Sequence, residues 1–293
     1  MRSFILLLLC LPLHALAHSD GHERMKQLDA QIRNEPDNAE LHLRRGRLYI
    51  EENHFEEARA DLEKTLALAP TQHGARYFLA EALLYGGKAE QAEQQAQRFI
   101  DAHGAQELGA LSRGYWLLGQ ARLAQQHPEA AIAAYRMALK ATVEPTPDHY
   151  QLFVNACLAA RGKYLEEALR VLDQGLKSGG SIDLLQGMAL EVELQAGRTD
   201  EALQRLESVI AQEKRLPFLY TRKAEILVDT GRITEAGKAL VSARNALTPV
   251  SVKRRRAKAY TDLEQQIAAL SVRVGLQESV VAEVVLKSEA EER

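Results

Sequence analysis

The sequence predicts an all-α solenoid of about six antiparallel helix pairs. Six segments align without a gap, and each carries Ala at its fourth position. These alanines are Ala58, Ala92, Ala131, Ala168, Ala202 and Ala236, at intervals of 34, 39, 37, 34 and 34 residues. A period near 34 with a small residue at a fixed place is typical of helical repeat arrays. We expect Ala there because the partner helix crosses at that point, where a larger side chain would cost about 1–3 kcal/mol.

Turn residues separate the two helices, A and B, of each unit. The residue five places before the anchoring Ala is Asn53, Gly87, Gly197 or Gly231, and Gly162 lies one place early. Gly and Asn tolerate the left-handed backbone that ends a helix. The third unit lacks such a residue and has Gln126-His127-Pro128 instead, where Pro128 suits the first turn of the next helix.

The repeats divide the chain into six units with flanking segments. The predicted units span 39–72, 73–106, 112–145, 149–182, 183–216 and 217–249. Residues 18–38 are predicted to be a tail and a capping half-repeat, with one helix in Met25–Asn38. Residues 250–275 are predicted to form a polar capping helix, and 276–293 a tail. Repeat arrays need such caps because their terminal apolar faces are otherwise exposed.

Residues 1–17 have the pattern of a cleaved signal peptide. Arg2 precedes an apolar run from Phe4 to Leu13, and Ala15-Leu16-Ala17 offers a cleavage site. We therefore expect an exported protein, with the periplasm as its location; an uncleaved anchor is the alternative. The apolar run is short for a membrane span, and no later stretch reaches 18 apolar residues, so no span is expected in the mature chain. Cleavage would leave Cys157 as the one cysteine.

Composition and motifs argue against several classes of function. The chain is 46% hydrophobic and 26% charged, as in ordinary folded proteins, and its net charge of −3 gives no reason to expect nucleic acid as a partner. We find no phosphate loop, nucleophile motif or metal-ligand spacing, so neither an enzyme nor a cofactor is predicted. His18 and His22 would lie at the mature N-terminus, where the alternatives are an exposed tail and a weak copper site. The basic run Lys253–Arg256, with Lys258, would form either a solvated helix face or a contact with anionic headgroups or an acidic partner.

The units resemble tetratricopeptide repeats. The third unit matches the family pattern at Tyr115, Leu118, Gly119, Ala131, Tyr135 and Ala138. The resemblance covers about residues 22–249. It implies a right-handed superhelix in which the A helices line a concave groove.

The resemblance also implies which side chains face that groove. Carried onto this sequence, these are Arg47, Tyr77, Glu81, Tyr85, Arg113, Trp116, Gln120, Tyr150, Phe153, Arg161, Glu191, Phe218 and Glu225. Aromatic side chains and arginines are the residue types that bind peptides most strongly. We therefore expect a non-catalytic adaptor that binds a protein or peptide partner, in the assembly of an envelope complex. The alternative is a scaffold for polysaccharide handling, since aromatic rings also stack on sugars.

Overall fold

The computed structural model describes residues 13–177, 182–212 and 216–275, which form fifteen α-helices and no strand. The all-α fold class is thereby confirmed. The chain divides into two compact units, residues 1–160 and 161–293. Helices of the first are α1 Leu13–Asn34, α2 Ala39–Glu51, α3 Phe55–Leu68, α4 His73–Tyr85, α5 Ala89–Asp101, α6 Leu108–Ala124, α7 Pro128–Ala141 and α8 Pro147–Ala159. Those of the second are α9 Leu165–Lys177, α10 Ile182–Gln195, α11 Thr199–Ile210, α12 Leu216–Asp229, α13 Ile233–Leu247, α14 Val252–Arg255 and α15 Lys258–Arg273.

The first unit is a stack of the helix pairs α2–α3, α4–α5 and α6–α7, with α1 packed on α2 and α8 packed on α7. The anchoring residues Ala58, Ala92 and Ala131 are fully buried, as the repeat alignment predicts. Gly119 of α6 shows why the crossings need small residues, because a Cβ at this position would overlap the ring of Tyr135 on α7. A side chain at this position would occupy the space of that ring.

The second unit repeats the same packing with a different end. Helix α9 packs on α10, the pairs α10–α11 and α12–α13 follow, and α15 lies against both α12 and α13. Ala168, Ala202 and Ala236 are fully buried. Leu263, Ile267 and Leu270 of α15 join the apolar core of this unit. Helix α15 therefore covers part of the apolar surface of the last pair.

Left-handed residues end the A helices, as the turn pattern predicts. Their φ values are 62° at Asn53, 77° at Gly87, 85° at Gly162, 72° at Gly197 and 76° at Gly231. The third repeat, predicted at residues 112–145, has no Gly or Asn in this turn, but its turn has the same geometry because Gln126 adopts a φ of 62°. The position in the turn thus imposes the left-handed backbone even on a residue that bears a Cβ.

The flanking segments differ from their predicted boundaries. Helix α1 ends at Asn34 and not at Asn38, because Pro36 disfavours helical backbone in the residue before it. The predicted single C-terminal helix is interrupted at Ala257, which is extended, and forms α14 and α15. Arg255 stabilises the break by donating hydrogen bonds to the carbonyl oxygens of Leu247 and Thr248 at the end of α13. Residues 1–12 of the predicted signal peptide and the predicted tail 276–293 lie outside the described residues.

A buried charge network joins α1, α2 and α3. The carboxylate of Asp61 accepts hydrogen bonds from Nε and Nη2 of Arg45, at 2.7 and 2.8 Å, and lies 3.0 Å from Nδ1 of His42. Arg45 also donates to Asp29 of α1 at 2.7 Å. The hydrogen bonds to Asp61 raise the pKa of the Arg45 guanidinium above its ordinary value. Because Asp61 is buried, the network holds α1 against the first repeat by paired charges as well as by apolar contact.

Candidate functional site

Three neighbouring A helices of the first unit present a continuous surface of rings and charges. Tyr77 and Phe78 are consecutive in α4 and reach towards different helices. The guanidinium of Arg47 on α2 lies 4.7 Å from the centroid of the Phe78 ring, and that of Arg113 on α6 lies 5.6 Å from Tyr77. The two rings meet edge to face, with centroids 5.3 Å apart. We call Arg47, Tyr77, Phe78, Glu81 and Arg113 the α2–α4–α6 face.

Stacking on the rings leaves both guanidinium groups of this face accessible. Arg47 and Arg113 are exposed. In the part of the chain that the structure describes, neither makes an ion pair with a carboxylate. A guanidinium over an aromatic ring is held in position by the ring while its N–H groups stay free to donate. The face therefore offers two positioned cations to a ligand.

Glu81 of α4 lies within the influence of the charge of Arg47 and is half-buried. Burial raises the pKa of its carboxyl group above the ordinary value, and the charge of Arg47 opposes that rise. Among the described residues no donor forms a hydrogen bond to it. A half-buried carboxylate without a donor is unfavourable, and a ligand that supplies an N–H group would relieve this.

A cleft between α1 and α2 extends the face on one side. It has a volume of about 320 Å³ and is lined by Arg24, Arg44 and Arg47, with Leu28, Leu48 and Glu51 among the other lining residues. Arg24 lies 4.0 Å from Glu51, and Arg44 is paired with Glu40 at 2.9 Å. Arg47 is common to the cleft and the face, so a ligand on the face could continue into the cleft.

Tyr85 and Gln120, two further predicted groove residues, belong to helices α4 and α6 of this face. Tyr85, at the end of α4, is 54% exposed, and its ring centroid is 5.9 Å from that of Phe55. Gln120 of α6 is half-buried. Phe78 was absent from the set predicted from the sequence. Its signal is the spacing of Phe78, Glu81 and Tyr85 at i, i+3 and i+7, which places all three on one side of α4.

The structure buries three of the predicted groove aromatics. Trp116 is 5% exposed, Tyr150 2% and Phe153 0%. The indole Nε1 of Trp116 donates to the hydroxyl of Thr142 at 3.1 Å, and its ring stacks on His149 with centroids 4.4 Å apart. Trp116 contributes to packing among α6, α7 and α8 and does not present its ring on the surface.

Arg161 was predicted on an A helix and lies beyond it. Helix α8 ends at Ala159, and Arg161 belongs to the following turn with a φ of 53°. The family spacing places it on the helix only if the helix continues to Gly162. The left-handed turn begins earlier in this unit, so the side chain is exposed on the turn.

The predicted groove residues of the second unit interact with their own unit. Arg222 donates to both Glu191 and Glu225, each at 3.1 Å. Glu225 also accepts a hydrogen bond from Gln266 of α15. Phe218 meets Tyr260 of α15 edge to face, with centroids 5.2 Å apart. The capping helix thus covers part of the surface that the repeat pattern assigned to a partner.

Clustered metal ligands and membrane-spanning helices are absent from the described residues. No group of three or more His, Cys, Asp or Glu side chains there could hold a metal ion. His22 is exposed on α1, and the side chain of His18 lies outside the described part. Cys157 is buried. No helix within the described ranges combines the length and the apolar character needed to cross a membrane.

Comparisons with known proteins identify the repeats. Sequence models described as tetratricopeptide repeat match residues 39–72 and 77–144. Among solved structures, the C-terminal part of a TPR repeat-containing protein from Cytophaga hutchinsonii has a TM-score of 0.63 at 16% identity, covering 81% of this chain and 94% of that chain. A tetratricopeptide repeat protein from Parabacteroides merdae has a TM-score of 0.53 at 14% identity, covering 86% and 94%.

A third similar structure is YrrB, described as a TPR protein with an unusual peptide-binding site. Its TM-score is 0.50 at 18% identity, and the match covers 63% of this chain and 91% of that chain. The comparison with curated proteins found no match. Tetratricopeptide repeats are therefore present between residues 39 and 144, and the likeness to solved structures shows that their fold extends over most of the chain.

Proposed function

We propose that the protein is a non-catalytic adaptor that binds an acidic peptide segment of a partner protein on the α2–α4–α6 face. The observation that carries the proposal is the pair of exposed guanidinium groups, Arg47 and Arg113, each positioned over a ring and without a carboxylate partner among the described residues. Two carboxylates of a peptide would pair with them. The rings between them, Tyr77 and Phe78, would contact an apolar side chain.

Glu81 would add a hydrogen-bond acceptor to the peptide-binding surface. Its carboxylate would accept a hydrogen bond from a backbone N–H of the peptide, which would offset the cost of its half-burial. A peptide chain supplies N–H groups at regular intervals, whereas a polyanion such as a nucleic acid backbone supplies none. The fold also supports the proposal, since YrrB, which shares it, is described as having a peptide-binding site.

A polysaccharide partner has less support. That alternative needs aromatic rings open to a sugar, and Trp116 and Phe153 are both buried. Tyr85 is an exposed ring of the predicted set, but one ring does not make a stacking platform. We therefore retain the peptide partner alone.

The test is selection of peptides from a random displayed library on the full chain, followed by titration calorimetry. We expect the selected peptides to contain two acidic residues separated by an apolar one. Arg47→Ala and Arg113→Ala should each weaken binding about tenfold or more, because charge-assisted hydrogen bonds are worth about 1.5–3 kcal/mol. Arg98→Ala is the matched control, since Arg98 is also exposed but lies on α5, outside the face. Selected peptides without acidic residues, or equal affinity in all three variants, would refute the proposal.

Export is a separate part of the proposal. The signal pattern of residues 1–17 supports a protein that acts in the periplasm, where an envelope complex would be its setting. Mass spectrometry of the protein from its native host is the measurement, and we expect a mature chain that begins at His18. A chain retained in the cytoplasm with Met1 intact would contradict it.

A further inference from the structure

The second unit contains a cavity that the peptide proposal does not use. It lies among α10, α11, α12, α14 and α15 and has a volume of about 910 Å³. Cavities that hold small ligands typically measure about 300–1,000 Å³. Its size is therefore that of a ligand site rather than of a packing defect.

The lining is mainly apolar. Six side chains form the apolar wall, and they come from three repeat helices and the capping helix: Leu190, Leu206, Val209, Phe218, Leu219 and Tyr260. Phe218 and Tyr260 meet edge to face, which fixes the wall between α12 and α15. An apolar chain or ring system would gain by leaving water for this space, at about 25 cal/mol per Å² of buried area.

Three arginines also line the cavity, and two of them are already neutralised. Arg205 makes three hydrogen bonds to Glu193, at 2.6, 2.9 and 3.0 Å. Arg222 is bound to Glu191 and Glu225. The third, Arg254, is exposed at the edge of the cavity and has no side-chain hydrogen bond or ion pair in the described part of the chain. The cavity thus has a mainly apolar wall and one unpaired guanidinium, that of Arg254.

Neighbouring basic residues do not share the position of Arg254. Arg255 donates to carbonyl oxygens at the end of α13, and Lys258 is paired with Asp262 at 2.7 Å. Arg256 is exposed and does not line the cavity. The basic run is therefore not one uniform face, and Arg254 is the member that faces a ligand-sized space.

We propose that this cavity binds a monoanionic amphiphile, a molecule with one carboxylate on an apolar chain, whose carboxylate pairs with Arg254. Charge complementarity carries the choice of ligand, since one free guanidinium matches one negative group. A peptide fits less well, because its backbone N–H and C=O groups would meet mainly apolar walls and would lose their hydrogen bonds to water. The proposal is independent of the α2–α4–α6 face.

The test uses the full chain and titration calorimetry with decanoate, below its micelle concentration. We expect saturable binding of one decanoate per chain and no measurable binding of decyltrimethylammonium, which has the same chain and the opposite charge. Arg254→Gln should weaken decanoate binding about tenfold or more, as expected for the loss of a charge-assisted hydrogen bond. Arg256→Gln, which removes the same charge two residues away, should change it less than twofold.

A second variant tests whether the apolar chain of the ligand occupies the cavity. Leu219→Trp places a larger side chain in the cavity and should also abolish decanoate binding, while circular dichroism should show an unchanged helix content. Absence of decanoate binding to the full chain would overturn the proposal. Equal weakening by Arg254→Gln and Arg256→Gln, or binding of the cationic amphiphile with similar affinity, would overturn it as well.

Discussion

Replacement of Gly119 by Ala tests the close helix crossing on which the repeat fold depends. A Cβ at this position would lie 2.8 Å from Cζ of Tyr135 and closer still to Cδ1 and Cε1 of the same ring. Ordinary contacts begin at about 3.4 Å, and the nearest ring atom, Cε1, would lie well inside that distance from the new Cβ, so the ring would have to move by about 1.2 Å. Tyr135 is fully buried and lies against Trp116, with centroids 5.2 Å apart, so it has little room to move.

The size of the effect follows from two opposing terms. Because the ring would have to move by more than 1 Å, overpacking here should cost the upper part of the usual range, about 2–3 kcal/mol. Ala in place of Gly inside a helix returns about 1 kcal/mol through its better helix propensity. We therefore expect Gly119→Ala to lower the free energy of unfolding by about 1–2 kcal/mol. Gly109 is in the same helix, and a Cβ there would meet nothing within 4 Å, so Gly109→Ala should leave stability unchanged or slightly raised.

Urea unfolding followed by tryptophan fluorescence measures this effect locally. The chain has one tryptophan, Trp116, and it contacts the ring that would be displaced. Tyr135→Leu in the Gly119→Ala background should recover part of the loss, because the smaller side chain leaves space for the new Cβ. If Gly119→Ala is as stable as the wild type, the crossing does not depend on a glycine there.

Three further substitutions test buried polar groups. The hydroxyl of Tyr135 is buried with no hydrogen-bond partner among the described residues. Tyr135→Phe should therefore raise the free energy of unfolding, measured in urea, by about 1 kcal/mol, and a lower free energy of unfolding would contradict this. Asp61→Asn should lower the free energy of unfolding by about 3 kcal/mol in the same assay, because it leaves Arg45 without its buried carboxylate. The control Asp37→Asn, at an exposed ion pair, should lower it by less than about 1 kcal/mol. Burial raises the pKa of Glu81 in the folded state, so its contribution to stability is fully present below the unfolded pKa of about 4.3 and is lost as the pH rises through the folded pKa. Glu81→Gln should therefore gain stability relative to the wild type between pH 4 and 7 in thermal unfolding, and a constant difference would refute the assignment.

The repeat register was predictable because the same close helix crossing recurs in every repeat and requires a small residue at the same position. Ala92 and its counterparts are buried where the alignment requires, and Gly87 and Gly231 have the predicted left-handed backbone. These features are local in sequence or recur at a fixed period. Gln126 shows the limit of this inference. The turn imposes a left-handed backbone on it, although glutamine is not a residue type from which that backbone could be predicted.

The site was less predictable because exposure depends on contacts between helices. The family spacing places Trp116 on the inner surface, but Thr142 and His149, which are distant in sequence, bury it through a hydrogen bond and a ring stack. Conversely, Phe78 lies beside Arg47 and was not predicted from the sequence. The position within a repeat determines the approximate direction of a side chain. The contacts made by the neighbouring repeats determine whether that side chain is exposed to solvent.

The charges that lack partners are the strongest guide to function in this protein. Asp61 and Glu193 are both buried, and each is bound by an arginine that makes at least two hydrogen bonds to it. Buried charges are stable only when paired, and the packing of the repeats satisfies this rule at both places. Glu81 departs from it within the described part of the chain, since it is half-buried beside Arg47 without a hydrogen-bond donor. Arg254 is exposed, and it lines a mainly apolar cavity without an acceptor among the described residues. The positions of these two groups favour ligands that complete them: an N–H group at the half-buried Glu81 and a carboxylate at Arg254 beside the apolar wall.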